Sequence, residues 1–444
     1  MFKIYKEVDP TISIMNMRKI LSNMGINVIE TLWENPFKDI FSCKLEIVNT
    51  KFAVFGKGIT PEYCLASAYG ELLEEIQTGI MFIDKFWSQK SKEIYNFIFD
   101  PYEVVFESKD IKELPESFKN SYIFFNSKVS LFEYWRENFI NNSNKFICLP
   151  FTNIINNEIV YLPLGIISMI NGTNGICSGN SYEEALIHGF SEIFERYVTK
   201  KIFLEKSSIP IISKQQLKTK FKKVYELIKQ VEDENKYKVI VKDCTFNNTF
   251  PVMGIILINN ITNKYVVNLG ADPDLEVALH RCLTEVFQGG EEFQNSKSNN
   301  LILENDFNII EEYNKQIKNG SGKWPKEFLI SLDESDIKII KFDSINNKFD
   351  YLINKFKKLG INNIYIRDCT YSLINSYQIV IPGLSEAFLF KEDYKYYNLD
   401  KLETIINIKK INLNELEELA LKIEEHLYNK FYGTHNFVQD FINI

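Results

Sequence analysis

The sequence predicts an α+β fold: mixed sheets with helices converging on one internal site. Three observations lead there. Residues 60–77, 181–198 and 274–288 share one helical pattern, each with a single acidic seam. The strand-like KVIVKDCTF at 238–246 is echoed by NIYIRDCTY at 363–371, and each echo precedes another strand-like run, PVMGIILI and YQIVIPG. Such echoes indicate internally duplicated α/β units rather than unrelated domains. The 444 residues are 45% hydrophobic and 14% aromatic, ample for a large core.

In chain order, residues 13–24 read as a short helix closed by Gly25, and 27–33 as a strand. Residues 43–47 and 51–55 read as a hairpin turned at Asn49 and Thr50. GKGIT at 56–60 leads into the first seamed helix; its glycines suit an ordinary turn and also an anion-facing one. Residues 81–135 are aromatic-rich and irregular, fit for a core or a substrate groove. Strands follow at 146–151 and 159–164, then a Gly/Asn loop at 171–180. Helical periodicity returns at 214–232, with strands at 238–243, 251–258 and 265–269. Residues 291–300 are polar and predict a loop; 413–430 read as a charged amphipathic helix before an aromatic tail.

The seams carry the chemistry. In SYEEALIHGFSEIFERYV, Ser181 is a good cap and Glu184 completes a capping box. His188, Glu192 and Glu195 then fall on one stripe, with Arg196 beside it. In TPEYCLASAYGELLEEIQ the stripe is Ser67, Glu71 and Glu74, after the cap Thr60 and Pro61. In DLEVALHRCLTEVFQ it is Arg281, Glu285 and Gln288, after the cap Asp274. Buried carboxylates are costly unless paired with cations or metal. Facing seams would gather five of them with Arg196, Arg281 and Gln288. Hard oxygen donors in that number suit Mg²⁺, which also takes phosphate oxygens. The chain has only five arginines against a large excess of lysine. Two of the five in these helices point to a need for the guanidinium fork. Helix salt bridges are the simpler alternative.

Composition excludes other classes. A net charge of −8 with no offsetting basic stretch argues against general nucleic-acid binding. Seven cysteines without a CxxC pair read as reduced, buried thiols of a cytoplasmic protein. The four histidines lack zinc-ligand spacing. No signal peptide or membrane-length apolar run is seen. No Walker, HRD or DFG element occurs.

The segments GKGITPEYCLASAYGELLEE, GNSYEEALIHGFSEIFERYV and ADPDLEVALHRCLTEVFQG resemble the YcaO family in order and spacing. NPFKDIFSCKLEI, LPFTNIINNEIVYLPLG and IVIPGLSE resemble its stand-alone branch. The resemblance spans about residues 27–386. It implies a YcaO-type catalytic domain over 41–395, an N-terminal helix–strand extension over 1–40, and a C-terminal helix and tail over 396–444.

The resemblance further implies an enzyme that uses ATP and Mg²⁺ to phosphorylate a peptide backbone amide oxygen. The products would be azolines or thioamides in a peptide or protein, as in the biosynthesis of modified peptide natural products. By match to the family motif, Ser67, Glu71, Glu74, Asn180, His188, Glu192, Glu195, Arg196, Arg281 and Glu285 would hold the nucleotide. Glu71, Glu74, Glu192, Glu195 and Glu285 would hold the metal, and Glu192, Glu195, Arg196, Arg281 and Glu285 would be catalytic. Expected partners are the peptide or protein substrate and a separate leader-binding or sulfur-delivery protein, with no membrane; a homodimer is left open.

The chain departs from the family pattern. Glu75 stands where Arg is common, His188 where Gln is frequent, and Cys177 where the related branch has Ser. No proline follows Pro382, whereas azoline-forming members end in a proline-rich tail that reaches the active site. The alternative readings are an accessory ATP-binding protein for ribosomal-protein methylthiolation, and a non-catalytic scaffold.

Overall fold

Three antiparallel sheets each feed one acidic helix. The computed structural model describes residues 6–50, 52–79, 100, 102–137, 145–233, 235–301, 307–371 and 374–392, the side chains of 291–293 excepted. The expected helix at 413–430 and the tail lie outside these residues, as do 81–99 and 101 of the aromatic-rich stretch.

The first half holds α1 (Pro10–Asn23), β1 (Val28–Phe37), β2 (Ile40–Ile47), β3 (Ala53–Gly58), α2 (Pro61–Thr78), β4 (Val104–Glu107), β5 (Lys145–Asn153), β6 (Glu158–Pro163), α3 (Leu164–Asn171), β7 (Ile176–Gly179) and α4 (Tyr182–Glu205). The second half continues with α5 (Lys214–Lys220), α6 (Lys222–Asp233), β8 (Tyr237–Lys242), β9 (Val252–Asn259), β10 (Lys264–Ala271), α7 (Leu275–Val286), α8 (Gly290–Lys297), β11 (Asn299–Asn300), α9 (Ile309–Asn319), α10 (Ile345–Lys358), β12 (Tyr365–Asp368) and β13 (Asn375–Val380). Short helical turns intervene.

The α+β class is the observed one. The sheets run β1-β2-β3, β11-β10-β9-β8 and β4-β5-β12-β13-β7, with β6 on β5. Every strand ladder among the described residues is antiparallel, so the sheets are not mixed. Tight turns with left-handed Asp39, Asn49 and Asn263 join neighbouring strands and impose this direction.

One unit recurs three times. A helix packs on the seamed helix, and three antiparallel strands lie beneath, the third running into the seamed helix. The sets are α1-β1-β2-β3-α2, α6-β8-β9-β10-α7 and α10-β12-β13 completed by β7-α4. In the third set the strand–helix pair comes earlier in the chain than the strands it joins. The echoed segments are the first strands, β8 and β12, of two sets. The expected boundary at residue 40 falls between β1 and β2, which are paired.

The cores explain the sequence pattern. Phe194 of α4 stacks on Phe356 of α10 at 4.8 Å, so both helices bury their aromatic stripe together. Phe118, Tyr122, Phe124, Phe132 and Trp135 of the aromatic-rich stretch are core, whereas Tyr102 is exposed. All seven cysteines are free and buried. No helix among the described residues is long and apolar enough to cross a membrane.

The loop expected at 291–300 is instead α8 and β11. Hydrophobic periodicity misses α8 because polar contacts hold it: the Tyr237 hydroxyl donates to Gln294 Oε1 at 3.2 Å. β11 pairs Asn299 and Asn300 with Tyr265 and Lys264 on the edge of β10.

Candidate active site

Each seamed helix starts where the sequence places its cap. Thr60 accepts from the Tyr63 N–H, Ser181 from Glu184 and Asp274 from Glu276, satisfying helix-end donors. Four residues past each cap stands a small residue, Cys64, Ala185 or Ala278, whose backbone lies against a strand glycine. A Cβ on Gly179 would lie 2.5 Å from the Ala185 nitrogen, and one on Gly270 would lie 2.6 Å from the Ala278 oxygen. Gly56 meets Cys64 in the same way. These close approaches press the helices onto their strands and fix the rotation of each seam.

Lys57, near the end of β3 just before α2, stands at the centre. Its ammonium forms an ion pair with Glu285 of α7. Desolvation lowers its pKa to about 8; Arg281 adds to the fall, while Glu71 and Glu195 oppose it. One lysine thus senses the seams of all three helices.

The carboxyls around it are held out of water. Burial raises Glu74 to about 8; Ser178 on β7 opposes the shift, and Glu192, Glu71 and Glu75 reinforce it. Burial likewise raises Glu192 to about 7, against the pull of Arg196 and with Glu195 adding repulsion. The Arg196 guanidinium is 3.7 Å from Glu192 Oε1, one helical turn away. His188, on the same stripe, is pushed well below its usual range by burial and by Arg281, Lys6 and Lys57. Both effects favour its neutral form.

A polar network closes one end of the α4 seam. Glu184 is buried, yet its carboxylate accepts from Lys6 Nζ at 2.8 Å, the Glu7 N–H at 3.1 Å and Asn180 Nδ2 at 2.9 Å. Ser13 of α1 donates to Asn180 Oδ1 at 2.7 Å, and Asn375 of β13 donates to the Asn180 carbonyl at 2.9 Å. Asn180 is therefore locked by three segments.

The structure brings the seams together through Glu71, Glu74, His188, Glu192, Glu195, Arg196, Arg281 and Glu285. Ser67 lies one turn before Glu71 on the same helix and is half-buried. Gln288 does not join them. It follows the end of α7, is buried, and donates to the Phe55 carbonyl at 2.7 Å. The expected capping box is only half formed, because the Glu184 carboxylate faces Lys6 instead of the Ser181 N–H.

Sequence reasoning did not place Lys57, Lys6, Glu184 or Ser178 in the site. For Lys57 the signal was present, a lysine between two glycines before a capped helix. For Lys6 and Glu184 no local pattern exists.

Among the described residues no three His, Cys, Asp or Glu converge tightly enough to hold an ion by themselves. The candidate donors instead stand on three helices, with carboxyls and cations within electrostatic reach of one another. Carboxyls raised to about 7 and 8 by burial and mutual repulsion lack sufficient positive charge. An all-oxygen donor set that leaves coordination positions for water and phosphate oxygens fits Mg²⁺, and the adjoining Lys57, Arg196 and Arg281 fit the phosphates of ATP.

A family model described as YcaO cyclodehydratase, ATP- and Mg²⁺-binding, matches residues 55–385. The Escherichia coli ribosomal protein S12 methylthiotransferase accessory factor YcaO is 29% identical over 399 residues, covering 85% of this chain and 65% of that protein. The chain thus spans less than two thirds of that relative. A heterocyclase solved with substrate and cofactor has a TM-score of 0.60 at 16% identity, covering 91% of this chain and 55% of the heterocyclase. A YcaO from Methanopyrus kandleri, solved with AMPPCP and Mg²⁺, has a TM-score of 0.54 at 15% identity, covering 86% of this chain and 93% of that one. At such identities the two solved structures establish the fold alone.

Proposed function

Since the chain belongs to the YcaO family, whose ligands are ATP and Mg²⁺, we propose that it is an ATP-dependent enzyme activating a backbone amide. The observation that carries this reading is the charge arrangement around Lys57. Crowded carboxyls, Glu74 and Glu192, share one neighbourhood with the cations Lys57, Arg196 and Arg281. Phosphoryl transfer is mostly positioning and charge neutralisation, which such a cradle supplies.

A nucleophile adds to the amide carbon, either a neighbouring Cys, Ser or Thr side chain or external sulfide. The amide oxygen takes the γ-phosphoryl group of ATP, releasing ADP. It then leaves as inorganic phosphate, and the product is an azoline or a thioamide. Glu71, Glu74, Glu192, Glu195 and Glu285 would hold Mg²⁺, which when bound neutralises phosphate charge. Arg196, Arg281 and Lys57 would orient the phosphates, and Asn180 with Ser67 would position the nucleotide. Cys177 is no candidate nucleophile, because burial raises its thiol pKa well above normal and Glu74 and Glu192 add to that. Direct phosphorylation of the substrate needs no enzyme-bound intermediate. The substrate is a peptide or protein, with a leader-binding or sulfur-delivery protein as partner.

The test labels the backbone carbonyl of a substrate peptide with heavy oxygen and weighs the released phosphate. Label in phosphate, matched to peptide modified, is the expected result. Modified peptide with unlabelled phosphate refutes the mechanism. The likeness to the Escherichia coli accessory factor favours a second reading, an ATP-binding helper of protein methylthiolation. There, phosphate takes its oxygen from water and no peptide amide is altered.

A further inference from the structure

We propose that Lys348 and Asp272 are positioning residues for the nucleotide site: their buried ion pair fixes the α7 seam, with Arg281 and Glu285, against the α4 seam. The proposal rests on the ATP reading above and extends it to two residues that lie outside every seam.

Lys348 breaks the pattern of its own helix. Ile345, Lys348, Leu352 and Phe356 are the buried residues of α10. They form one stripe at helical spacing, where apolar side chains are the rule. The Lys348 side chain is only 3% exposed, and its ammonium lies 2.9 Å from Oδ1 of Asp272, which is 6% exposed. Lysine and aspartate are seldom buried so far unless paired. Stability does not explain such a pair, because apolar side chains of similar volume hold a core about as well. What the charged hydrogen bond adds is direction: it fixes one approach of the two groups, where an apolar contact can slide.

The pair joins two units at the places that orient their seams. Asp272 lies between β10 and α7. Its Oδ1 also accepts the Asp274 N–H at 2.8 Å, and Asp274 caps α7. The Asp272 N–H donates to the Pro251 carbonyl at 3.1 Å, beside the start of β9. On the other side, α10 is fastened to α4 through Phe356, whose ring lies 4.8 Å from Phe194 and 4.9 Å from Phe190. Those two residues flank Glu192 in the chain. Lys348 thus links the helix packed on α4 to the entry of the helix that carries Arg281 and Glu285. Arg281 stands roughly 10 Å along α7 from the cap, so a tilt at Asp274 is magnified there. The first and second units are tied by Lys57 with Glu285 and by Gln288 with the Phe55 carbonyl. Lys348 with Asp272 is the corresponding tie between the second and the third.

The test uses the full-length protein with Lys348→Met and with the double substitution Lys348→Met/Asp272→Asn. The single substitution leaves a buried carboxylate without its cation and should lower the melting temperature clearly. The double substitution removes both charges, and the asparagine oxygen can still take the Asp274 N–H. Its melting temperature should therefore return most of the way to the wild-type value. Calorimetry then measures ATP affinity with Mg²⁺, below the melting range of each protein. The double variant is expected to bind ATP at least tenfold more weakly than wild type despite its recovered stability, because small misplacements of binding groups are costly. A purely structural pair would let affinity return with stability. Wild-type affinity in the double variant would overturn the proposal. So would a double variant as unstable as the single one, since the pair would then serve folding alone. A wild-type protein that binds no ATP sinks the ATP reading, and this inference with it.

Discussion

Lys57 and Glu285 are in contact across the junction of β3 and α7, joining the first unit to the second at the centre of the site. The pair also lies within electrostatic reach of α2 and α4, through Glu71 and Glu195. Replacing the ammonium by an apolar side chain of similar length tests its role. Lys57→Met should weaken ATP binding by about 1.5–3 kcal/mol, the range for a charged hydrogen bond. Calorimetry checks this, and unchanged affinity would leave the lysine a structural counter-ion only.

The raised carboxyls predict a pH dependence of stability in the ligand-free protein. Glu192 and Glu74 titrate near 7 and 8 when folded, above the ordinary carboxylate value of 4.5. Between the unfolded and folded values the native state binds more protons, so stability falls as pH rises through this window. Melting temperature should therefore decline from pH 6.5 to pH 8, above the range in which the depressed imidazoles of His188 and His280 act in the opposite sense. Glu192→Gln should flatten part of that decline and also abolish Mg²⁺-dependent ATP binding.

Mg²⁺ needs these carboxyls ionised, so its binding should release protons near neutral pH. Titrations of Mg²⁺ with ATP at pH 7, in two buffers of different ionisation enthalpy, should give different apparent heats. Equal heats would contradict the placement of Glu74 and Glu192 in the metal set.

Arg196 and Arg281 are assigned as forks, and a lysine keeps the charge without the paired donors. Arg196→Lys and Arg281→Lys should each lower ATP turnover at least tenfold, an effect of about 1.4 kcal/mol. Wild-type turnover in both would favour plain helix salt bridges.

Gly270 tests the strand–helix contact that orients the α7 seam. A methyl group there would lie 2.6 Å from the Ala278 carbonyl oxygen, which belongs to a helix backbone and cannot swing aside. Gly270→Ala should destabilise the protein by about 2 kcal/mol, as overpacking does, and weaken nucleotide binding through Arg281 and Glu285. Denaturant unfolding measures the first effect and calorimetry the second.

The sequence by itself determined the three seamed helices, their caps and the members of each stripe except Gln288. Helical periodicity is local: 3.6 residues per turn decide that Glu192 and Glu195 share a face with His188. It also carried the family motifs, and with them the expectation of ATP and Mg²⁺. Tertiary structure decided which stripes face each other and which residues outside them join the site. Glu184 reads locally as a cap residue, yet its buried carboxylate pairs with Lys6, 178 positions away. Gln288 has the right spacing for the stripe but falls past the end of α7, where the Phe55 carbonyl takes its amide. The third unit draws β7 and α4 from upstream of the strands they join, an arrangement set by sheet pairing and not by chain order. Lys57 acquires its lowered pKa from burial among charged groups of all three seams, a property of the assembled interior that no local pattern of residues encodes.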